Sequence, residues 1–162
     1  DYGTSWRVYR IISIADQVYI KARRIKTIQE KQVQKVEDGI ASEFQGILNY
    51  GIIGLIQLDS KQEEVEDLPV NLVASMYDEK VAASKKLMFD KNHDYGEAWR
   101  DMRVSSMTDL ILMKIFRTKQ IENNEGRTLV SEGVEANYQD MLNYAVFCLI
   151  TLKGEQQQQQ QQ

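Results

Sequence analysis

One hydrophobic rhythm runs through this chain, and it is written twice. Val104, Met107, Ile111 and Ile115 recur at three- and four-residue steps, the period of a helix that buries one face. The spacing predicts a long helix over residues 97–121, introduced by the turn Asp94-Tyr95-Gly96, where glycine is free to take a positive φ. A loop, "ENNEGRTLV", follows, and then a second helix with Ser131 as its N-cap and the acids Glu132 and Glu135 in its first turn. The same order is predicted upstream, with helices over residues 4–28 and 38–58. A further amphipathic helix, over residues 71–89, carries Val73, Tyr77, Val81, Ser84 and Met88 along one line.

The recurrence is exact enough to align. Residues 1–16 laid on 94–109 share Asp, Tyr, Gly, Trp, two Arg, Ser and Asp. In the same register Lys21, Arg24, Lys26 and Ile28 fall on Lys114, Arg117, Lys119 and Ile121. One inserted residue later, "GIASEFQGILNYGIIGLIQL" falls on "GVEANYQDMLNYAVFCLITL". Such a register identifies a tandem duplication. The expected organisation is unit one over 1–60, an acidic connector over 61–69, unit two over 70–154, and a low-complexity, disordered glutamine tail over 155–162. The fold class is all-α, with two similar units packed about a pseudo-twofold axis. The duplication also predicts that a helix like 71–89 precedes Asp1.

Composition narrows the function. With 43% hydrophobic and 27% charged residues the 162-residue chain can bury a core, and its single proline suits long helices. A net charge of −4 disfavours binding of long nucleic acid, which needs a basic field, but leaves room for a local phosphate site. Cys148, the one cysteine, lies in the apolar run "YAVFCLITL" and reads as a buried, inert thiol. No apolar stretch is long enough to span a bilayer, so a soluble, cytoplasmic protein without membrane contact is expected. The duplication is compatible with a homo-oligomer, since it can replace a dimer or build a larger one.

Chemistry gathers on the two helices of each unit. On one continuous helix, Trp99, Arg100, Arg103, Leu110, Lys114 and Arg117 fall within about 100° of one another, as do Trp6, Arg7, Arg10, Lys21 and Arg24 in unit one. Such a stripe suits phosphates or carboxylates beside an aromatic plane. It equally suits pairing with acids on neighbouring helices. On the next helix Glu132, Glu135, Gln139 and Asn143 share a face beside Asp140, and carboxylates one turn apart can share a divalent cation such as Mg²⁺. Ala41 and Gly46 replace Glu135 and Asp140 in unit one, whereas Gln45 and Asn49 match Gln139 and Asn143. The amides therefore read as a buried structural network and the acids as free for a task of unit two. His93 reads as a loop residue, and Gly51 and Gly54 as sites of close helix contact.

"KNHDYGEAW", then Lys114-x-x-Arg117, then "EGVEANYQDMLNYAVFCLITL" resembles the nucleotide-modification-associated domain, first type, a small helical family of phages and bacteria. The positions carrying the resemblance include Lys91, Asp94, Tyr95, Gly96, Glu132, Glu135, Asp140, Asn143, Tyr144 and Ala145. The resemblance implies a link to modified-nucleotide metabolism. It is also similar in flavour to all-α nucleoside triphosphate pyrophosphatases of MazG type, which hold magnesium on Glu-x-x-Glu and Glu-x-x-Asp pairs. Here Glu132-x-x-Glu135 lacks a clear second pair. The leading expectation is a protein that binds a nucleotide or similar phosphate ligand. Lys114, Arg117 and Arg103 would contact phosphate, Tyr95 or Trp99 would lie near the base, and Glu132, Glu135 and Asp140 would hold Mg²⁺. As an enzyme it would use the metal to activate water against a phosphoanhydride. The alternative is a non-catalytic helical interaction protein whose duplicated polar residues join its halves.

Overall fold

The structure is a computed structural model describing residues 4–33, 39–60, 68–124 and 133–161. Among these the chain forms five α-helices and two short 3-10 turns and no strand, which is the expected all-α class. The helices are α1 (Ile11–Lys31), α2 (Ile40–Asp59), α3 (Val70–Tyr95), α4 (Val104–Asn123) and α5 (Val134–Gln160). α1 packs on α2, α2 on α5, α5 on α4 and α4 on α1, so four helices close a bundle and α3 lies outside it against α2 and α5.

Corresponding positions of the two units supply the core. Ile14 and Met107, Val18 and Ile111, Ala22 and Ile115, Phe44 and Tyr138, and Ile47 and Met141 are all fully or almost fully buried. A bundle of this kind leaves each helix one apolar stripe, and the hydrophobic period places it. α1 and α4 run antiparallel and exchange equivalent ion pairs. Lys26 meets Asp109 at 3.1 Å, and Lys119 meets Asp16 at 2.5 Å. Each pair becomes the other when the units are swapped.

Two glycines bring α2 and α5 together as expected. A Cβ on Gly51 would stand 2.6 Å from Leu142 Cδ2, and one on Gly54 would stand 2.9 Å from Tyr138 Cε1. Neither distance is compatible with an ordinary side chain, so both positions need the missing Cβ.

Several boundaries differ from expectation. The helix expected over residues 97–121 is broken: Ala98–Asp101 is a 3-10 turn, Met102 and Arg103 are extended, and α4 starts at Val104. Unit one breaks alike, with a 3-10 turn at Ser5–Val8 before α1. Trp99 and Arg100 therefore do not share a helical face with Lys114 and Arg117, nor Trp6 and Arg7 with Lys21 and Arg24. α3 continues through Tyr95, which makes His93 helical and 89% exposed, not a loop residue. Gly96 closes α3 at φ +60°, as the turn expected there requires. α5 has Gly133 as its N-cap, not Ser131, which with Glu132 lies outside the described residues. The glutamine tail is helical through Gln160, since glutamine is a good helix former and nothing after Gly154 breaks the run. Of the amides expected to be buried, Asn143 is buried and Gln139 half-buried, whereas Gln45 and Asn49 are exposed, Asn49 accepting from Tyr77 of α3.

Candidate functional site

Unit two places a lysine on either side of one carboxylate. Asp140, midway along α5 and 15% exposed, accepts from Lys114 of α4 and from Lys91 of α3, each at 2.7 Å. Burial raises the Asp140 carboxyl, but the hydrogen bonds from Lys114 and Lys91, with their charges, outweigh it and hold it below the ordinary carboxylate range. Two ammonium groups thus meet at one carboxylate. Lys114 is 13% exposed and sits behind Asp140, whereas Lys91 is 40% exposed. An ammonium has three donors, so Lys91 retains capacity beyond Asp140.

Lys91 opens onto a cleft of about 380 Å³. Its roof is the end of α3, with Lys91 and Tyr95, and its floor is α5, with Asp140, Asn143, Tyr144 and Phe147. Trp99 forms the end wall and stacks on Phe147, ring planes 3° apart and centroids 4.3 Å apart. Tyr144 meets the same Phe147 edge-on at 6.5 Å. Burial, then the Asp140 charge, raises the Tyr144 hydroxyl above the ordinary phenol range. The 3-10 turn that interrupts the expected helix is what lets Trp99 reach Phe147. Outside the ring pair, the exposed Arg100 guanidinium lies 4.4 Å from the Trp99 centroid and bonds Glu97. The cleft thus joins flat aromatic walls to a localised positive charge, which suits an anionic ligand bearing a ring.

The expected site residues do not all meet there. Tyr95, Trp99 and Asp140 line the cleft, and Lys114 supports it through Asp140. Arg117 instead lines an open groove between α1 and α4, beside Arg23 and Lys26. Arg103 is the exposed N-cap residue of α4. Glu135 is exposed in the first turn of α5. For Mg²⁺ the fit is poor among the described residues: no three acids, histidines or cysteines converge, and both Asp140 oxygens are engaged by lysines.

Lys91 and Phe147 complete the cleft without having stood out for it by helical spacing. Lys91 was signalled by the Lys-x-x-Asp-Tyr-Gly opening. Phe147 sits in an apolar run that reads only as core.

Unit one also sets two cations against one carboxylate, but with the acid at a different place and both cations from α1. Lys21 occupies the place of Lys114, but Gly46 stands where Asp140 does, and the acid is Glu43, one turn earlier on α2. Glu43 takes Arg24 at 2.5 Å and Lys21 at 3.7 Å. Arg7 bonds Gln57 Oε1 at 2.7 Å and Ser60 Oγ at 2.9 Å. Arg7, Lys21 and Arg24 thus reach the second helix of their own unit and its end.

Fold and site together define a class, a duplicated all-α bundle in which one unit carries an aromatic-walled cleft with the Lys91–Asp140 pair in its lining. The chain belongs to the nucleotide modification associated domain 1 family, whose model matches residues 1–58 and 91–152. The two matched segments fall on the two copies of the duplication. No curated protein and no solved structure matches the chain, so nothing accompanies the expected likeness to MazG-type pyrophosphatases.

Proposed function

We propose that the cleft between α3 and α5 binds a nucleotide, with its phosphate at Lys91 and its base against the aromatic walls. The observation that carries this reading is the Lys91 ammonium, 40% exposed and with donors beyond Asp140, in a cleft walled by Tyr95, Trp99, Tyr144 and Phe147. Trp99 and Phe147 cover each other, so the open ring for the base is Tyr95, 75% exposed. Base stacking on an aromatic side chain contributes about 1–3 kcal/mol per base, and a lysine serves as a point charge for phosphate. The cleft volume of about 380 Å³ lies within the usual range of about 300–1,000 Å³ for small-molecule sites. The family name points the same way, to nucleotide modification.

Arg117 and Arg103 enter this proposal only as long side chains outside the cleft. Mg²⁺ enters as a companion of the phosphates. Glu135, with Glu132, would take part only if a ligand drew Lys91 or Lys114 away from Asp140.

The test is a thermal-shift screen of nucleoside mono- and triphosphates, with and without Mg²⁺, on the wild type and on Lys91→Met and Glu135→Ala. A ligand at 100 times its dissociation constant adds about 2.7 kcal/mol, a rise of several degrees in Tm. The rise is expected for the wild type and is lost in Lys91→Met. A Mg²⁺-dependent part that vanishes in Glu135→Ala supports the metal set. If no nucleotide moves the wild-type Tm, the proposal fails.

A further inference from the structure

One face of α3 roofs two cavities. Tyr77, Val81, Ser84, Met88, Lys91 and Tyr95 follow one another at three- and four-residue steps and so share one side of the helix. The last two line the cleft already described. The first four line a cavity of about 520 Å³ between α2, α3 and α5. Asn143 of α5 lines both. The two spaces are therefore neighbouring compartments beneath one helix, with the Asn143 amide between them.

The roof is fastened on either side of the inner compartment. Among the described residues, Tyr77 donates to Asn49 Oδ1 at 2.7 Å and Lys80 pairs with Asp59 on the α2 side, while Lys91 pairs with Asp140 toward the C-terminal end. Between those ties Ser84 is the only buried residue of the entire helix. α3 is thus a span held at two places over space it does not fill.

The inner compartment has carbon walls from Leu48, Ile52, Leu142, Val146 and Met88. Gln45, Asn49, Tyr77 and Lys85 also line it, and two further polar residues, Ser84 and Asn143, are buried in it. Ser84 is 9% exposed and its Oγ has no hydrogen-bond partner. Asn143 is 8% exposed. A buried hydroxyl is costly to leave unpaired, and Ser84 is among the residues that line the compartment. The outer compartment is charged and the inner one nearly neutral, with Lys85 as its one ionisable ammonium. Each is large enough to enclose a small ligand, so an unsubstituted mononucleotide in the outer cleft leaves the inner compartment empty.

We infer that the inner compartment receives a largely apolar, ring-sized substituent carried on the base of the bound nucleotide, with Ser84 and Asn143 supplying its hydrogen bonds. The ligand class is then a base-substituted nucleotide, not a common one. This rests on the nucleotide reading above. A single two-part ligand accounts for the shared Asn143, for the continuous face of α3 and for the division between charged and apolar compartments.

The test is calorimetric binding of matched pairs to the full chain: AMP against N6-benzyl-AMP, and dUMP against 5-phenyl-dUMP. At least one substituted member should bind the wild type about tenfold or more tightly than its parent, the gain expected from burying a ring. Ser84→Phe fills the compartment and should bring that ratio to about one while parent affinity is kept. Val81→Phe fills it from an exposed position and serves where Ser84→Phe fails to fold. Ratios of one in the wild type, with the parents still binding, overturn this inference alone. An advantage that survives both filled variants overturns it as well. Absence of binding by every member overturns the nucleotide reading and this inference with it.

Discussion

Lys21 and Lys114 hold the same place in the two units and meet different ends. Lys21 lies across Gly46, so close that a Cβ there would stand 2.7 Å from its Cδ, and its ammonium is shared between Glu43 at 3.7 Å and the Tyr50 ring at 5.9 Å. Lys114 faces Asp140, the residue that occupies the position of Gly46, and Asp140 in turn draws in Lys91 from α3. Among the changes on the second helix, the one that moves the acid is the exchange of Glu43 and Gly46 for Asn137 and Asp140, positions three apart and therefore on one face. Moving an acid by one turn frees the first position: Asn137 is buried and its Nδ2 bonds the Gly133 carbonyl instead. In unit one the cations close a helix contact. In unit two they flank a cleft. A duplication can thus keep a charge and change its work by relocating the partner.

A second contrast sits at the far ends of α1 and α4. Gln29 Nε2 donates to Thr108 Oγ1 at 3.1 Å. The equivalent of Gln29 is Glu122, and the equivalent of Thr108 is Ala15, which has no hydroxyl to offer. Both Glu122 carboxylate oxygens are consequently buried without a partner. Burial first, then the charge of Asp16, against the opposing pull of Lys119, pushes its carboxyl up to about 7. The nearby Tyr138 hydroxyl is also buried and unpartnered, where unit one has Phe44.

The largest effect expected from breaking these contrasts is at Asp140. Asp140→Asn leaves two ammonium groups facing each other in a half-buried setting and should cost about 3 kcal/mol in urea unfolding. The Asp140 carboxyl is held below its unfolded value. Its contribution is therefore present above the ordinary carboxylate range and lost as pH falls through the folded value.

Glu122→Gln, which installs the residue of unit one, should stabilise by about 2 kcal/mol at pH 8. The folded carboxyl titrates near 7 against an ordinary 4.5, so the native state binds the extra proton between those values. Wild-type stability should fall as pH rises through that window and level off above it. The variant should lose that slope, which thermal unfolding across the range will read.

Gly54→Ala comes next. The added methyl meets the buried Tyr138 ring, and overpacking of about 1–3 kcal/mol outweighs the gain of about 1 kcal/mol in helix propensity. A lower Tm is expected. Glu43→Gln is the smallest, about 1 kcal/mol, because Arg24 is the cation that hydrogen-bonds Glu43 and the glutamine carbonyl can still accept from it, while Lys21 stands off at 3.7 Å. If Glu43→Gln proves as costly as Asp140→Asn, the two clusters are energetically alike and the contrast between units fails.

The bundle was legible because hydrophobic period and repeat agree: all the positions buried in α1 are buried in α4, and most of those buried in α2 are buried in α5. The break before Val104 was not. No glycine or proline marks it, and Arg103 turns extended at φ −74° and ψ 145° so that Trp99 can bury against a ring far along the chain. The acids of unit two stood out by their absence from unit one, which pointed to Asp140. Its engagement by two lysines depends on helix packing that no local spacing encodes. α3 was legible as an amphipathic helix, but its apolar line covers cavities and not solid core, a distinction that only the packed neighbours supply.

The central claim is that the two units divide structure from binding, and matched lysine substitutions test it most directly. Titration calorimetry of the nucleotide found by the screen would compare wild type, Lys91→Met in unit two and Lys21→Met in unit one. Both changes keep the aliphatic stem and remove the charge. Affinity should fall at least about tenfold, or 1.4 kcal/mol, in Lys91→Met and stay at the wild-type value in Lys21→Met. Equal losses in both variants, or a loss confined to Lys21→Met, would contradict the account.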